Sequence, residues 1–203
     1  DAPIGFSQWY YSKRNALLIE VVDSSGASGW GECYGPAAVT QTAVEQFYAP
    51  LLMGQDALSN ERLWSMCWHA SHDFAMQGVM MGAISGLDMA LLDLKGKLLN
   101  VSASVLMGGA EQDQLEGYAT GMDFTRQDEH ALLDSILTEA GHHVANGFGA
   151  LKIKVGKNIA FDRMLIEAMR KTFPESVLMA DSNHAYDLNE AIEMGHWLEA
   201  HQY

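Results

Sequence analysis

Residues 151–155 read LKIKV and residues 178–183 read LMADSN, and these two stretches decide the fold class. Each stretch has the short apolar run of a strand, and each is followed by a helical pattern. The pattern of a strand followed by a helix occurs three times, in residues 115–146, 150–173 and 177–201. Three successive units of about 30 residues imply parallel strands joined by right-handed crossovers.

Lys152 and Lys154 lie on one face of the first stretch, because side chains alternate along a strand. A strand inside a parallel sheet is normally apolar on both faces, so two lysines there are unusual. Desolvation and mutual repulsion both disfavour the ammonium form, and we therefore expect one of the two lysines to act as a base near neutral pH. An edge strand with solvated lysines is the alternative interpretation.

Asp181 and Asn183 share a face at the carboxyl end of the next strand, where ligands and catalytic groups gather in parallel α/β folds. Carboxylate and amide oxygens are hard donors that suit Mg²⁺. The alternative is an N-cap of the following helix, for which Asp187 is better placed. A base beside a metal site can remove a proton next to a carboxylate group. His184, directly after Asn183, is a further candidate substrate contact.

The chain before residue 111 has a different pattern. Residues 16–23 and 28–33 flank a turn and are typical of a hairpin. Apolar residues at helical spacing predict a long helix over residues 76–99 that is buried on several sides. Gly82 and Gly86 in this helix each cost about 1 kcal/mol relative to alanine unless they let a neighbour approach closely.

A cluster of aromatic side chains marks the amino-terminal stretch, residues 5–11 (GFSQWYY). This aromatic content is unusual for a solvated tail. We interpret the stretch, including Tyr10, as a loop that covers a site.

Composition limits the classes of partner. The chain has 203 residues, of which 48% are hydrophobic, and a formal net charge of −14 at pH 7. Such a charge argues against nucleic acid or an anionic membrane as a partner, because both are polyanions. No apolar run reaches the length of a membrane helix, and two cysteines cannot form a disulfide framework. We therefore expect a cytoplasmic protein.

Several motifs, in order along the chain, resemble those of the mandelate racemase/muconate lactonizing branch of the enolase superfamily. They are GWGE at residues 29–32, SGLDMALLDLKGK at residues 85–97, LMGG at residues 106–109, the K-x-K strand and the D-x-N strand. The resemblance implies an α+β capping domain over residues 1–110. It also implies that residues 111–203 form the first three strand–helix units of a TIM-type barrel.

The resemblance also assigns roles. It implies that Lys154 is the general base, that Lys152 lowers its pKa and touches the substrate carboxylate, and that Asp181 is the first metal ligand. It implies that Asn183 reaches the metal or the substrate. Thr120, near the end of the first barrel strand, is a further candidate substrate contact.

The resemblance also implies an activity. The enzyme would remove the proton α to a carboxylate in a Mg²⁺-dependent reaction that passes through a stabilised enediolate. The run DSNHAY at residues 181–186 favours acid-sugar dehydration, with racemisation, epimerisation or cycloisomerisation as alternatives. We expect a small carboxylate substrate and a homo-oligomer.

The family pattern needs two further metal-binding carboxylates and a second acid/base group, which are expected after residue 203. We therefore expect this polypeptide to be a fragment of a larger enzyme and inactive alone. A non-catalytic scaffold or assembly protein is the alternative from another class.

Overall fold

The computed structural model describes residues 3–7 and 9–203. Contacts within the chain divide it into two compact units. One consists of Asn15–Asp113 and is called the hairpin–helix unit below. The other consists of Asp1–Arg14 together with Gln114–Tyr203 and is called the parallel-sheet unit. The division into a capping domain over residues 1–110 and a partial barrel over residues 111–203 stays a prediction.

Two antiparallel strands and a set of helices form the hairpin–helix unit. Strand β3 (Leu17–Val22) pairs with β4 (Ser28–Cys33), which confirms the predicted hairpin. Five helical segments follow: α1 (Ala37–Ala43), α2 (Ala49–Leu52), α3 (Asn60–Ser71), α4 (Val79–Leu99) and α5 (Ala103–Leu106). The segment Val44–Tyr48 between α1 and α2 is π-helical.

Glycines bring β4 and α4 into close contact. A Cβ atom at Gly29 would overlap the backbone oxygen of Ala90, and one at Gly31 would overlap that of Gly86. A Cβ atom at Gly86 would in turn overlap Sγ of Cys33. Because glycine has no side chain, the backbones of β4 and α4 can touch at these positions. This contact explains why Gly86 occurs in the interior of a helix, where glycine is otherwise unfavourable.

The parallel-sheet unit contains two separate sheets. Strands β1 (Ile4–Phe6) and β2 (Trp9–Tyr11) form an antiparallel hairpin. Strands β5 (Ala119–Thr120), β6 (Ala150–Lys154) and β7 (Val177–Asp181) are parallel, in the order β5-β6-β7. A helix follows each parallel strand: α6 (Glu129–Ala145), α7 (Ile159–Thr172) and α8 (Leu188–Ala200).

Each of these three helices begins at a side-chain cap. Asp128, Asn158 and Asp187 accept hydrogen bonds from backbone amides of the first turn, and Asp187 forms a capping box with Glu190. The cap at Asp187 leaves Asp181 available for another role, as the sequence predicted. The core of the unit comprises Met122, Phe124, Leu132, Ile136, Leu151, Ile153, Phe161, Leu165, Ile166 and Met169, all at most 1% exposed.

The first parallel strand is shorter than predicted. The pattern indicated a strand over residues 115–122, but β5 contains only Ala119 and Thr120. Leu115 and Tyr118 before it are exposed, and β5 pairs only with β6 in the described part of the chain. Among the described residues, no helix combines the length and the apolar character needed to cross a membrane.

Candidate active site

Lys154 and Asp181 occupy paired positions at the carboxyl ends of β6 and β7. Because side chains at paired positions of parallel strands point to the same face, the two meet. Nζ of Lys154 lies 2.9 Å from Oδ2 of Asp181, and the lysine side chain is only 14% exposed. The structure therefore brings together the two groups to which the sequence assigned the base and the metal ligand.

Lys152 lies on the same face of β6 as Lys154. Its Nζ is 3.7 Å from Oδ2 of Asp181 and 5.1 Å from the ring centroid of Tyr118. Leu151 and Ile153 fill the opposite face and are fully buried. Because β6 lies between β5 and β7, the alternative of an edge strand is wrong. The carboxylate of Asp181 thus faces the side chains of two lysines.

Asn183 completes the cluster from the loop after β7. Its side-chain oxygen accepts a hydrogen bond of 2.8 Å from Nζ of Lys154, and its backbone amide donates one of 3.0 Å to Oδ1 of Asp181. Its φ of +43° is left-handed, a conformation that asparagine tolerates better than most residues. His184 follows with an exposed side chain, and no hydrogen bond between described residues joins it to Lys154 or Asp181.

The electrostatic surroundings of Asp181 favour its ionised form. Burial raises the pKa of this carboxyl, but the hydrogen bond from Lys154, the amide of Asn183 and the charges of both lysines outweigh that effect. The net result is a pKa below the ordinary value. Asp181 is therefore a carboxylate at neutral pH, as a metal ligand must be.

A second carboxyl near Lys154 was not identified from the sequence. Asp123 follows β5, and burial raises its pKa although the charge of Lys154 acts in the opposite direction. The sequence could have indicated Asp123 as a site residue, because it follows the first parallel strand and the carboxyl ends of all three strands lie at one edge of the sheet.

The amino-terminal hairpin is hydrogen-bonded to the segment after β5. The backbone N–H of Gly5 donates to the carbonyl of Phe124, and the N–H of Phe124 donates to the carbonyl of Gly5, both at 2.7 Å. This pairing places the ring centroid of Phe6 5.3 Å from Nζ of Lys154. The expected covering loop, of which Gln8 lies outside the described residues, thus supplies an aromatic face to the lysine.

Two other predicted substrate contacts have different surroundings. The Tyr10 hydroxyl donates to the carbonyl oxygen of Thr125 at 3.5 Å, and its ring lies against Arg126. The Thr120 hydroxyl donates to the carbonyl oxygen of Lys152 at 3.4 Å, and Thr120 is exposed. Neither hydrogen bond reaches the charged groups of the lysines or of Asp181.

The donor chemistry of the cluster suits a hard cation. Asp181 and Asn183 each direct one oxygen at the same positively charged group, Nζ of Lys154. Magnesium prefers six oxygen ligands, several of them water. The described residues contain no group of three or more His, Cys, Asp or Glu side chains that could hold a metal.

Known families match both parts of the chain. The family model for the mandelate racemase / muconate lactonizing enzyme N-terminal domain matches residues 1–108, and the enolase C-terminal domain-like model matches residues 135–203. The fold is that of the enolase superfamily, a capping domain with part of a barrel. Within it, the chain belongs to the mandelate racemase/muconate lactonizing enzyme family.

Similar proteins include enzymes that act on acid sugars. D-galactarolactone cycloisomerase of Agrobacterium fabrum is 37% identical over 196 residues, which cover 96% of this chain and 51% of that protein. The solved structure of 3,6-anhydro-D-galactonate cycloisomerase from Zobellia galactanivorans is 39% identical with a TM-score of 0.82, covering 98% of this chain and 55% of that one.

A third similar protein was solved with a metal. L-talarate/galactarate dehydratase from Salmonella typhimurium LT2, liganded with Mg and L-lyxarohydroxamate, is 26% identical with a TM-score of 0.83. The match covers 98% of this chain and 52% of that one. The chain thus spans about half the length of the curated relatives it matches.

Proposed function

We propose that this chain is part of a Mg²⁺-dependent enzyme that removes the proton α to the carboxylate of an acid sugar. The observation that carries the proposal is the contact of Nζ of Lys154 with both Asp181 and Asn183 at the carboxyl ends of neighbouring parallel strands. The acid-sugar enzymes among the similar proteins support the class of substrate.

The two lysines have different roles in this proposal. As an amine, Lys154 takes the proton: the substrate C–H bond breaks, an N–H bond forms at Nζ, and the electron pair moves into the carboxylate to give an enediolate. Lys152 remains an ammonium group and binds the substrate carboxylate, which balances the negative charge. Tyr10, Thr120 and His184 remain proposed substrate contacts.

Asp181, with Asn183 beside it, is the part of this chain that would hold the metal. Bound there, Mg²⁺ supplies a Lewis acid that stabilises negative charge developing on the substrate carboxylate. The magnesium in the L-talarate/galactarate dehydratase structure supports this cofactor. A complete coordination sphere requires ligands in addition to these two side chains.

Two reactions can follow the removal of the proton. The run at residues 181–186 favours dehydration, in which a β-hydroxyl leaves with a proton as water. The two cycloisomerases at 37% and 39% identity favour cycloisomerisation, in which the departing oxygen stays in the molecule. Dehydration therefore gives a product lighter by one water, whereas cycloisomerisation leaves the mass unchanged.

A substrate panel tests the proposal and separates the two reactions. The full-length gene product is incubated in D₂O with Mg²⁺ and a set of aldonates, aldarates and their lactones, and products are analysed by mass spectrometry and NMR. We expect at least one acid sugar to lose its α hydrogen, seen either as deuterium at the α carbon of recovered substrate or as a keto product with deuterium at the neighbouring carbon, and the mass of that product separates the two reactions. An enzyme that neither exchanges the α hydrogen of any of them nor converts any of them to a product contradicts the proposal.

We further propose that the three strand–helix units are the first of an eight-unit barrel and that residues 1–110 act as its capping domain. Cys33 and Cys67 are both buried thiols, which supports a reducing cytoplasm. A homo-oligomer, and the absence of nucleic-acid and membrane partners, remain part of the proposal. Light scattering of the full-length gene product tests the oligomeric state.

A further inference from the structure

Asp162 is a carboxylate that the proposed chemistry does not use. It lies in the first turn of α7 and is fully buried. Burial raises the pKa of this carboxyl, although three hydrogen bonds oppose the effect. They come from the Tyr186 hydroxyl at 2.8 Å and from the backbone amides of Gly156 at 2.9 Å and Lys157 at 3.2 Å. A buried carboxylate is costly without such partners.

The three donors belong to the two loops that bear the candidate active site. Gly156 and Lys157 lie in the loop after β6, two and three residues beyond Lys154, which is the last residue of that strand. Tyr186 lies in the loop after β7, three residues beyond Asn183. The carboxylate of Asp162 thus connects the loop after Lys154 with the loop that contains Asn183.

The two loops also pack closely at Gly156. Its φ is +99°, and a Cβ atom there would lie 3.1 Å from the carbonyl oxygen of Ser182 and overlap Cβ of Ala185. Both neighbours belong to the loop after β7. Because Gly156 leaves no space between the loops, a displacement of one loop is transmitted to the other.

We propose that Asp162 is a positioning residue that, through Tyr186, holds Asn183 in register with Lys154. The inference rests on the proposed function for its catalytic consequence. The simpler explanation is that Asp162 only stabilises the start of α7, where a negative charge is favourable. That explanation predicts a loss of stability but no specific change at Asn183.

The first test compares two tyrosine variants. Tyr186→Phe removes the hydroxyl that bonds Asp162, whereas Tyr203→Phe removes a hydroxyl that bonds the carbonyl oxygen of Ile166 at 3.2 Å in the same helix. Both tyrosines are partly buried, so the second variant is a matched control. Amide hydrogen exchange is measured by NMR at Asn183, whose N–H is bonded to Asp181.

We expect Tyr186→Phe to speed exchange at the Asn183 amide about tenfold, the loss expected when one hydrogen bond to a charged group is removed. Tyr203→Phe should leave that amide within about twofold of the wild type. Unchanged exchange at Asn183 in Tyr186→Phe, or equal acceleration in both variants, would overturn the proposal. This readout does not depend on turnover, so it decides the inference even if the proposed reaction is wrong.

The second test is kinetic and uses the full-length gene product with a substrate found in the panel. We expect Tyr186→Phe and Asp162→Asn to lower kcat by about 10- to 100-fold while KM changes by less than about threefold, because a displaced base reacts slowly with a normally bound substrate. Tyr203→Phe should retain its kcat. A normal kcat in Tyr186→Phe overturns the positioning role, whereas a wild type that removes the α proton from no compound of the panel overturns the proposed function instead.

Discussion

Lys154 and Asp181 stand opposite each other in neighbouring parallel strands, with Nζ and Oδ2 2.9 Å apart. The pairing follows from strand register, because each residue is the last of its strand. Two rigid strands therefore hold these groups, which suits a site that must keep its geometry during a reaction. The loop residue Asn183 is added to this frame through a hydrogen bond to the same lysine.

Loss of Lys154 should abolish proton abstraction. In the full-length gene product, we expect Lys154→Ala to lower α-proton exchange by about 10²- to 10⁴-fold, the usual contribution of a general base. The rate is measured by NMR in D₂O. Lys171→Ala, which changes an exposed lysine in the last turn of α7, is the control and should exchange normally. Normal exchange by Lys154→Ala would remove this residue from the role of base.

Magnesium binding should depend on Asp181 and not on Lys154. We expect Asp181→Ala to lose most of the rise in melting temperature that Mg²⁺ gives the wild type, because a ligand stabilises only the protein that binds it. Lys154→Ala should keep that rise, since the variant retains the carboxylate. Thermal unfolding of the full-length gene product over a Mg²⁺ titration measures both. Equal responses of the two variants would contradict the assigned roles.

Asp181 should stabilise the folded protein in a pH-dependent manner. Because its pKa in the folded protein lies below the ordinary 3.8, its stabilising contribution is complete above that value and is lost as the pH falls through the lower folded value. We expect Asp181→Asn to reduce the free energy of unfolding by about 1 kcal/mol at neutral pH, because both lysines lose the carboxylate that they contact. Denaturant unfolding without Mg²⁺, at several pH values, measures the difference between the two proteins. A difference that stays constant or grows in acid would contradict the prediction.

Replacing a helix glycine by alanine should lower the free energy of unfolding at one position and raise it at another. Gly86→Ala should cost about 1–3 kcal/mol, because its Cβ atom would overlap Cys33. Gly195→Ala in α8 should instead gain up to about 1 kcal/mol, since its Cβ atom meets nothing within 4 Å and alanine favours the helix. Denaturant unfolding compares both variants with the wild type. Stabilisation by Gly86→Ala would show that helix and strand can separate without cost.

The features that the sequence predicted well depend on local patterns. The alternation of side chains in β6 placed Lys152 and Lys154 on one face, and the cap at Asp187 marked the start of α8. The glycines of α4 left open the close approach of a neighbour, and β4 provides it at Gly86. In the first two cases, the residues that decide the structure lie within a few positions of one another.

The features that the sequence did not predict depend on distant partners. In the sequence, Asp162 looks like one charged residue of an amphipathic helix. Its contact with the loop after β7 depends on the hydrogen bond from Tyr186, which lies 24 residues later in the chain. Phe6 lies in a stretch without clear periodicity, and its position beside Lys154 depends on backbone pairing with Phe124. No local pattern carries such information, because the partners meet only through the tertiary fold.

The hydrogen bond from the Tyr10 hydroxyl to the carbonyl of Thr125 spans 115 residues of sequence. A ribosome adds about 5–20 residues per second, so the amino-terminal hairpin leaves the exit tunnel on the order of ten seconds before its partner. An isolated two-stranded hairpin is only marginally stable in water. The aromatic side chains of this hairpin therefore cannot pack against the segment at residues 124–125 until that segment has been synthesised, and this delay is an interval in which the exposed hairpin is open to aggregation.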